Sequence, residues 1–160
     1  MYEPNPSLPA PGLPSGEDGC PMPNPPWVVI ADDDPDDRAF LQRAFNQAGV
    51  RVRLHFLGDG RALVDHLQAM NPGAPDWPRL VVVDLNMPGM DGAAAIAAIR
   101  CAPALAQLPI VTLSTSNWLE DRQRCEASGA DDFLTKPDRL DAWVALVQAM
   151  AGRWLAAPRG

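Results

Sequence analysis

The chain predicts a doubly wound α/β fold: a (βα)5 three-layer sandwich with a central five-stranded parallel sheet and helices on both faces. Two observations carry this. Short apolar runs at residues 27–31, 52–56, 80–83, 109–113 and 133–135 alternate with segments whose apolar residues recur at helical spacing. The third run, Leu80-Val81-Val82-Val83, is continuous and mostly β-branched, as a strand buried on both faces requires. Right-handed crossovers then bring every strand's carboxyl end to one edge of the sheet, the edge where open α/β folds place their chemistry.

The elements follow in chain order. Residues 1–26 hold nine of the 18 prolines, with Gly12, Gly16 and Gly19, a composition that supports neither ladder nor helix and reads as a disordered tail. Strand one, Trp27 to Ala31, runs into Asp32-Asp33-Asp34-Pro35-Asp36-Asp37. Asp34 before Pro35 is a helix N-cap, and Asp36 and Asp37 complement the helix dipole, so these three need no functional role. Asp32 and Asp33 stand before the cap, where adjacent carboxylates repel unless a cation lies between them. Phe40, Leu41, Ala44, Phe45 and Ala48 mark helix one, ended by Gly49. Val52, Leu54 and Phe56 alternate with Arg51, Arg53 and His55 as a half-exposed strand, and Gly58-Asp59-Gly60 turns into a helix carrying Leu63, Val64, Leu67 and Met70. His55 and His66 stand apart, without a further ligand at metal-binding spacing, and read as surface or helix-face residues.

Strand three ends in Asp84, Pro88-Gly89 turns the chain, and Asp91-Gly92 opens an alanine-rich helix with Ile96 and Ile99 that ends by Pro103. Strand four, Pro109 to Leu113, is followed by Ser114-Thr115-Ser116. Leu119 to Ser128 is a polar helix closed by Gly129, and Phe133-Leu134-Thr135 precedes Lys136-Pro137. In the final helix, Leu140, Val144, Val147, Ala151 and Trp154 form a stripe suited to the sheet, while Trp143, Leu146 and Met150 widen the apolar arc. That surplus, beside a polar helix four, predicts a homodimer through helix four, strand five and helix five. The folded domain is expected over 27–154, with 155–160 a short C-terminal tail.

A net charge of −7 and the lack of any basic run argue against direct nucleic-acid binding. Three cysteines without C-x-x-C spacing indicate neither a disulfide framework nor a zinc site. No apolar run is long enough to span a membrane, and a soluble, cytoplasmic protein is expected.

The strand ends supply Asp32 and Asp33, then Asp84, Ser114 and Lys136. Lys136 is the sole lysine, the other 12 basic residues among 13 being arginine, so a compact ammonium is wanted there. Three carboxylates about one point suit octahedral Mg²⁺. A carboxylate beside Mg²⁺, a lysine and a hydroxyl is equipped to attack phosphorus, which names Asp84 as nucleophile.

The segments V-V-I-A-D-D-D-P, V-V-V-D-L-N-M-P-G-M-D-G, P-I-V-T-L-S-T-S and F-L-T-K-P resemble the signature blocks of two-component response-regulator receiver domains, which are chemotaxis-regulator-like and flavodoxin-like in topology. The resemblance covers about residues 27–153. It implies that Asp84 accepts a phosphoryl group from a sensor histidine kinase, that Asp32, Asp33, Asp84 and the backbone carbonyl of Asn86 hold Mg²⁺, and that Lys136 pairs with the phosphoryl group. Ser114 matches the switch hydroxyl and Phe133 the switch aromatic, here without a tyrosine hydroxyl. The L-S-T-S block and a last helix reaching Trp154-Leu155 are similar to the stand-alone regulators paired with phytochrome-type kinases, so a bacteriophytochrome is the expected donor. Only eight residues follow Gly152, so output is expected through protein contacts rather than an attached domain. The expected chemistry is Mg²⁺-dependent self-phosphorylation and slow autodephosphorylation, without enzymatic turnover. Two alternatives stay open. One is a degenerate receiver that only docks to partners; the other is a haloacid-dehalogenase-like phosphohydrolase, which needs a second Asp where this chain has Asn86.

Overall fold

The computed structural model describes residues 25–155; the proline-rich segment 1–24 and residues 156–160, where the two tails are expected, lie outside the described residues. Strands β1 (Trp27–Ala31), β2 (Arg53–Leu57), β3 (Pro78–Asp84), β4 (Ile110–Ser114) and β5 (Asp132–Thr135) form one parallel sheet. Its order is β2-β1-β3-β4-β5. The chain steps outward from β1 to β2 and then returns past β1 to β3, so the order reverses between β1 and β3. A crevice opens at such a reversal, beyond the carboxyl ends of the two strands.

Helices α1 (Pro35–Ala48), α2 (Gly60–Ala69), α3 (Gly92–Arg100), α4 (Leu119–Ser128) and α5 (Leu140–Met150) connect and follow the strands, with a 3-10 turn at Pro103–Leu105 and a π-helical turn at Ala151–Leu155. The strand period of two divides the core cleanly. Val28, Ile30, Leu80, Val82, Val111 and Leu113 pack with α1 and α5, while Val29, Ala31, Val81, Val83 and Ile110 pack with α2 and α3. Each such Val, Leu or Ile side chain, fully removed from water, contributes about 1.5–3 kcal/mol before conformational entropy is set against it. A smaller cluster of Leu85, Ala93, Cys125 and Phe133 lies beneath α4.

Local chemistry sets the helix ends. Asp34 caps α1 by accepting from the Asp36 N–H, Pro35 starts the helix, and Gly49 ends it at φ 71. Gly129 ends α4 at φ 115, where a side chain would also collide with Arg100. No helix among the described residues is long and apolar enough to cross a membrane.

The last helix departs from its sequence reading. Trp143, Val147 and Met150 are its buried residues, while Leu140, Val144, Leu146, Ala151 and Trp154 are only half-buried. Phe40 of α1 stacks on Trp143 with ring centroids 6.1 Å apart. Two apolar stripes overlap on α5 and share Val147. Phe40 seats the Trp143 indole against α1, and that stacking selects the stripe that takes the core. Trp143 and Met150 therefore do not widen an outer face. The large hydrophobic side chains exposed among the described residues are instead Trp118 and Leu119, at the start of α4.

Candidate functional site

The register places the carboxylates. Ala31 of β1 pairs with Val83 of β3, so Asp32 and Asp84, one residue further on each strand, emerge side by side at the crevice. Both are buried, at 1% and 6% exposure, while Asp33 is exposed. Asp32 is locked in place: its Oδ1 accepts from the Asp34 N–H at 2.9 Å, and its carbonyl accepts from Arg38 Nε at 2.7 Å. Asp84 Oδ1 faces the Asn86 N–H at 3.4 Å. Behind it, α3 approaches so closely that a Cβ on Gly92 would lie 2.6 Å from the Asp84 carbonyl oxygen, so only glycine fits. Asp33, Asp34, Asp37, Asp84, Asn86, Thr115 and Lys136, with Pro35, line an open cleft of about 460 Å³.

Lys136 closes this cleft. Its backbone N–H donates to the Ser114 carbonyl at 2.7 Å, which carries β5's end to β4's, and its side chain is 4% exposed. The ammonium lies 3.0 Å from Asp32, 3.3 Å from Asp84 and 2.6 Å from Asp37. Burial alone would lower the lysine pKa, but Asp37, Asp32 and Asp84 together raise it above its ordinary range, so it stays charged. Burial pushes the Asp84 carboxyl up to about 6, aided by the neighbouring Asp32 and opposed by Lys136. Burial likewise raises Asp32. Charge is thus crowded here rather than balanced, as it is where a site awaits a cation or a charged substrate.

Carboxylate oxygens of Asp32, Asp33 and Asp84 all lie within 4.8 Å of one another. Hard oxygen donors so spaced fit a divalent ion such as Mg²⁺, and Asn86 borders the same cleft.

Ser114 ends β4 fully buried, with its Oγ accepting from the Ser116 N–H at 3.0 Å; Thr115, not Ser114, lines the cleft. Phe133 is 2% exposed and packs on Leu85, Ala93 and Cys125. Arg122 lies over its ring at 5.2 Å and donates to its carbonyl at 3.3 Å. The aromatic is therefore seated inward in this structure. The small cluster beneath α4 offers an apolar seat, and the guanidinium covers it.

The sequence reading assigned Asp37 to the helix dipole alone, and nothing local signals its contact with a lysine 99 positions away. Nor did it bring the histidines together: His55 on β2 and His66 on α2 stack with ring centroids 4.6 Å apart, and burial with the adjacent His55 lowers the His66 pKa.

The family model for the response regulator receiver domain matches residues 28–148. The chain belongs to the response regulator receiver domain family. It is 30% identical over 135 residues to response regulator Rcp1 of a Synechocystis strain, covering 82% of this chain and 91% of that protein. The Mn²⁺-bound crystal form of Rcp1 superposes with a TM-score of 0.72 at 27% identity, over 84% of this chain and 98% of that one. Response regulator RPA3017, in red light signalling of R. palustris, superposes with a TM-score of 0.76 at 26% identity, over 84% of this chain and 96% of that one. The transcriptional regulatory protein PrrA of Mycobacterium tuberculosis is 33% identical over 128 residues, 80% of this chain, and the match spans 51% of its length. The sequence expectation of a doubly wound, five-stranded receiver fold thus holds.

Proposed function

We propose that this receiver domain accepts a phosphoryl group on Asp84 from a sensor histidine kinase in the cytoplasm, and signals by changing its protein contacts. The observation that carries the reading is Asp84 itself: a buried strand-end carboxylate facing a cleft, with Asp32 and Asp33 within 4.8 Å and the Lys136 ammonium at 3.3 Å. An Asp84 carboxylate oxygen attacks phosphorus; the phosphorus–nitrogen bond to the kinase histidine breaks, and that nitrogen keeps the electron pair. Asp32, Asp33, Asp84 and the Asn86 carbonyl would hold a Mg²⁺ ion, which when bound would supply positive charge near the phosphoryl oxygens. Lys136 pairs with one of those oxygens, and the Ser114 hydroxyl leaves the Ser116 N–H to donate to another.

The part that RPA3017 takes in red light signalling supports a photoreceptor kinase, a bacteriophytochrome, as donor. Output passes through the α4–β5–α5 face, where Phe133 is seated and Trp118 is exposed, and pairs two copies of the chain across that face. Asn86 in place of a second acid argues against the phosphohydrolase alternative, and an intact Asp32, Asp33, Asp84 and Lys136 against a docking-only module.

Acetyl phosphate with Mg²⁺ tests the assignment by intact mass and peptide mapping. One acyl phosphate on Asp84, absent from Asp84→Asn, is expected. Equal labelling of Asp84→Asn would sink the assignment, and continuous turnover of donor without a phosphorylated protein would favour the hydrolase.

A further inference from the structure

Of the carboxylates that hold Lys136, the nearest lies outside the acidic trio of the cleft. Nζ is 2.6 Å from Asp37 Oδ2, against 3.0 Å for Asp32 and 3.3 Å for Asp84. A short charge-assisted contact of this kind is the strongest of the three. Both ends are anchored. Asp37 sits in the first turn of α1, fixed by the Asp34 cap and Pro35, and Lys136 is tied by its backbone to Ser114.

We propose that Asp37 is a positioning residue that tethers the Lys136 ammonium and competes for it with a phosphoryl group on Asp84, thereby setting how tightly the site holds that group. The inference rests on the reading of Asp84 as phosphoacceptor. A phosphoryl oxygen reaches Lys136 only by drawing it from partners it already has. Asp32 and Asp84 belong to the trio that fits a divalent ion, and an ion there takes up much of their negative charge. Asp37 is not in the trio, so its hold on Lys136 survives loading of the site. It is the carboxylate the ammonium has to leave, and it also faces the incoming negative charge from the same cleft. Asp37 therefore weakens phosphoryl retention while keeping Lys136 poised beside Asp84.

Beryllofluoride with saturating Mg²⁺, titrated on the full chain, reads this out as an affinity for a phosphoryl mimic. Asp37→Asn, and Asp37→Ser as a second uncharged variant, should bind about three- to tenfold tighter than wild type, the scale of one part-buried ion pair. Asp37→Glu, which restores the charge, should return towards wild-type affinity. In a Lys136→Ala background the gain from Asp37→Asn should shrink to the part owed to direct repulsion between Asp37 and the mimic, a coupling that a merely structural role in α1 would not produce. Unchanged or weaker binding in both uncharged variants overturns the tether, and so does an equal gain without Lys136. A wild type that binds no beryllofluoride refutes the phosphoacceptor reading itself, and this inference with it.

Discussion

Helices α1, α2 and α3 begin differently from α4 and α5. The first three are capped by aspartates: Asp34, Asp59 and Asp91 accept from the N–H groups of Asp36, Ala62 and Ala94 at 2.9, 2.7 and 2.9 Å. The last two start at Trp118 and Arg139 without a side-chain cap. A cap is worth about 1 kcal/mol, so the two halves differ in how firmly their helices are pinned at the functional edge. The capped half surrounds β1 and β3 and holds the carboxylates, whose chemistry demands fixed positions. The uncapped half carries Ser114, Phe133 and the exposed Trp118, which the proposed signal would have to move. Capped and uncapped helix starts are thus segregated along a single sheet edge.

Tryptophan gives the comparison its largest contrast. Trp143 of α5 is 1% exposed and stacked on Phe40, whereas Trp118 is 69% exposed. Trp143→Ala should cost about 3–5 kcal/mol in urea unfolding, and Trp118→Ala should stay within about 0.5 kcal/mol. Similar losses in both variants would break the division of the molecule into a packed body and a free α4 start.

The next effect lies in the capped half and depends on pH. Asp84 ionises near 6 in the folded protein because of burial, against 3.8 in an ordinary aspartate. Between those values the unfolded chain binds fewer protons than the folded one, so stability from this group falls as pH rises and levels off above about 6. Asp84→Asn removes that fall. In the absence of Mg²⁺ it should stabilise the protein by about 1 kcal/mol at neutral pH, with the gain shrinking as pH drops towards 4. Mg²⁺ affinity of the wild type should weaken below about pH 6 as protons compete for the same oxygen. A destabilised Asp84→Asn at pH 7 would mean that the Lys136 contact outweighs burial and the repulsion from Asp32.

What could be read from the sequence was local. The Asp34 and Asp91 caps and the Gly49 and Gly129 stops depend on residues within one turn of one another, and they lie where the sequence puts them, while four of the five strands are shifted or extended by one or two residues from the expected runs. Asp32 and Asp84 were legible because each ends an apolar run, and parallel pairing of adjacent strands does the rest. The Asp37–Lys136 pair was not, since a first-turn aspartate already has a sufficient reason to exist in the helix dipole. The α5 face was misjudged because two stripes satisfy the same period, and only α1, through Phe40, decides between them. The seat of Phe133 depends on a rotamer and on Arg122, neither of which has a signature in the chain.

The smallest effect on stability bears on assembly. Acidic substitutions at Trp143 or Met150 cannot report on a dimer, because both side chains are in the core and a buried charge would unfold the monomer first. Trp118 and Leu119 are 69% and 65% exposed, on a helix whose remaining surface is polar, and they adjoin the Ser114 to Ser116 loop that a phosphoryl group on Asp84 would disturb. Covering an indole removes apolar area from water without leaving polar groups unpaired, which is how aromatic anchors act at interfaces. Trp118→Glu should therefore leave the unfolding midpoint nearly unchanged, within about 0.5 kcal/mol, while shifting the chain to monomer. Sedimentation at micromolar concentration, with and without beryllofluoride and Mg²⁺, measures it: wild type should associate more strongly with the mimic, and the variant should not respond. A wild type that is monomeric under both conditions would leave the α4–β5–α5 face without a second copy to bind, and a dimer that survives Trp118→Glu would place the contact on another face.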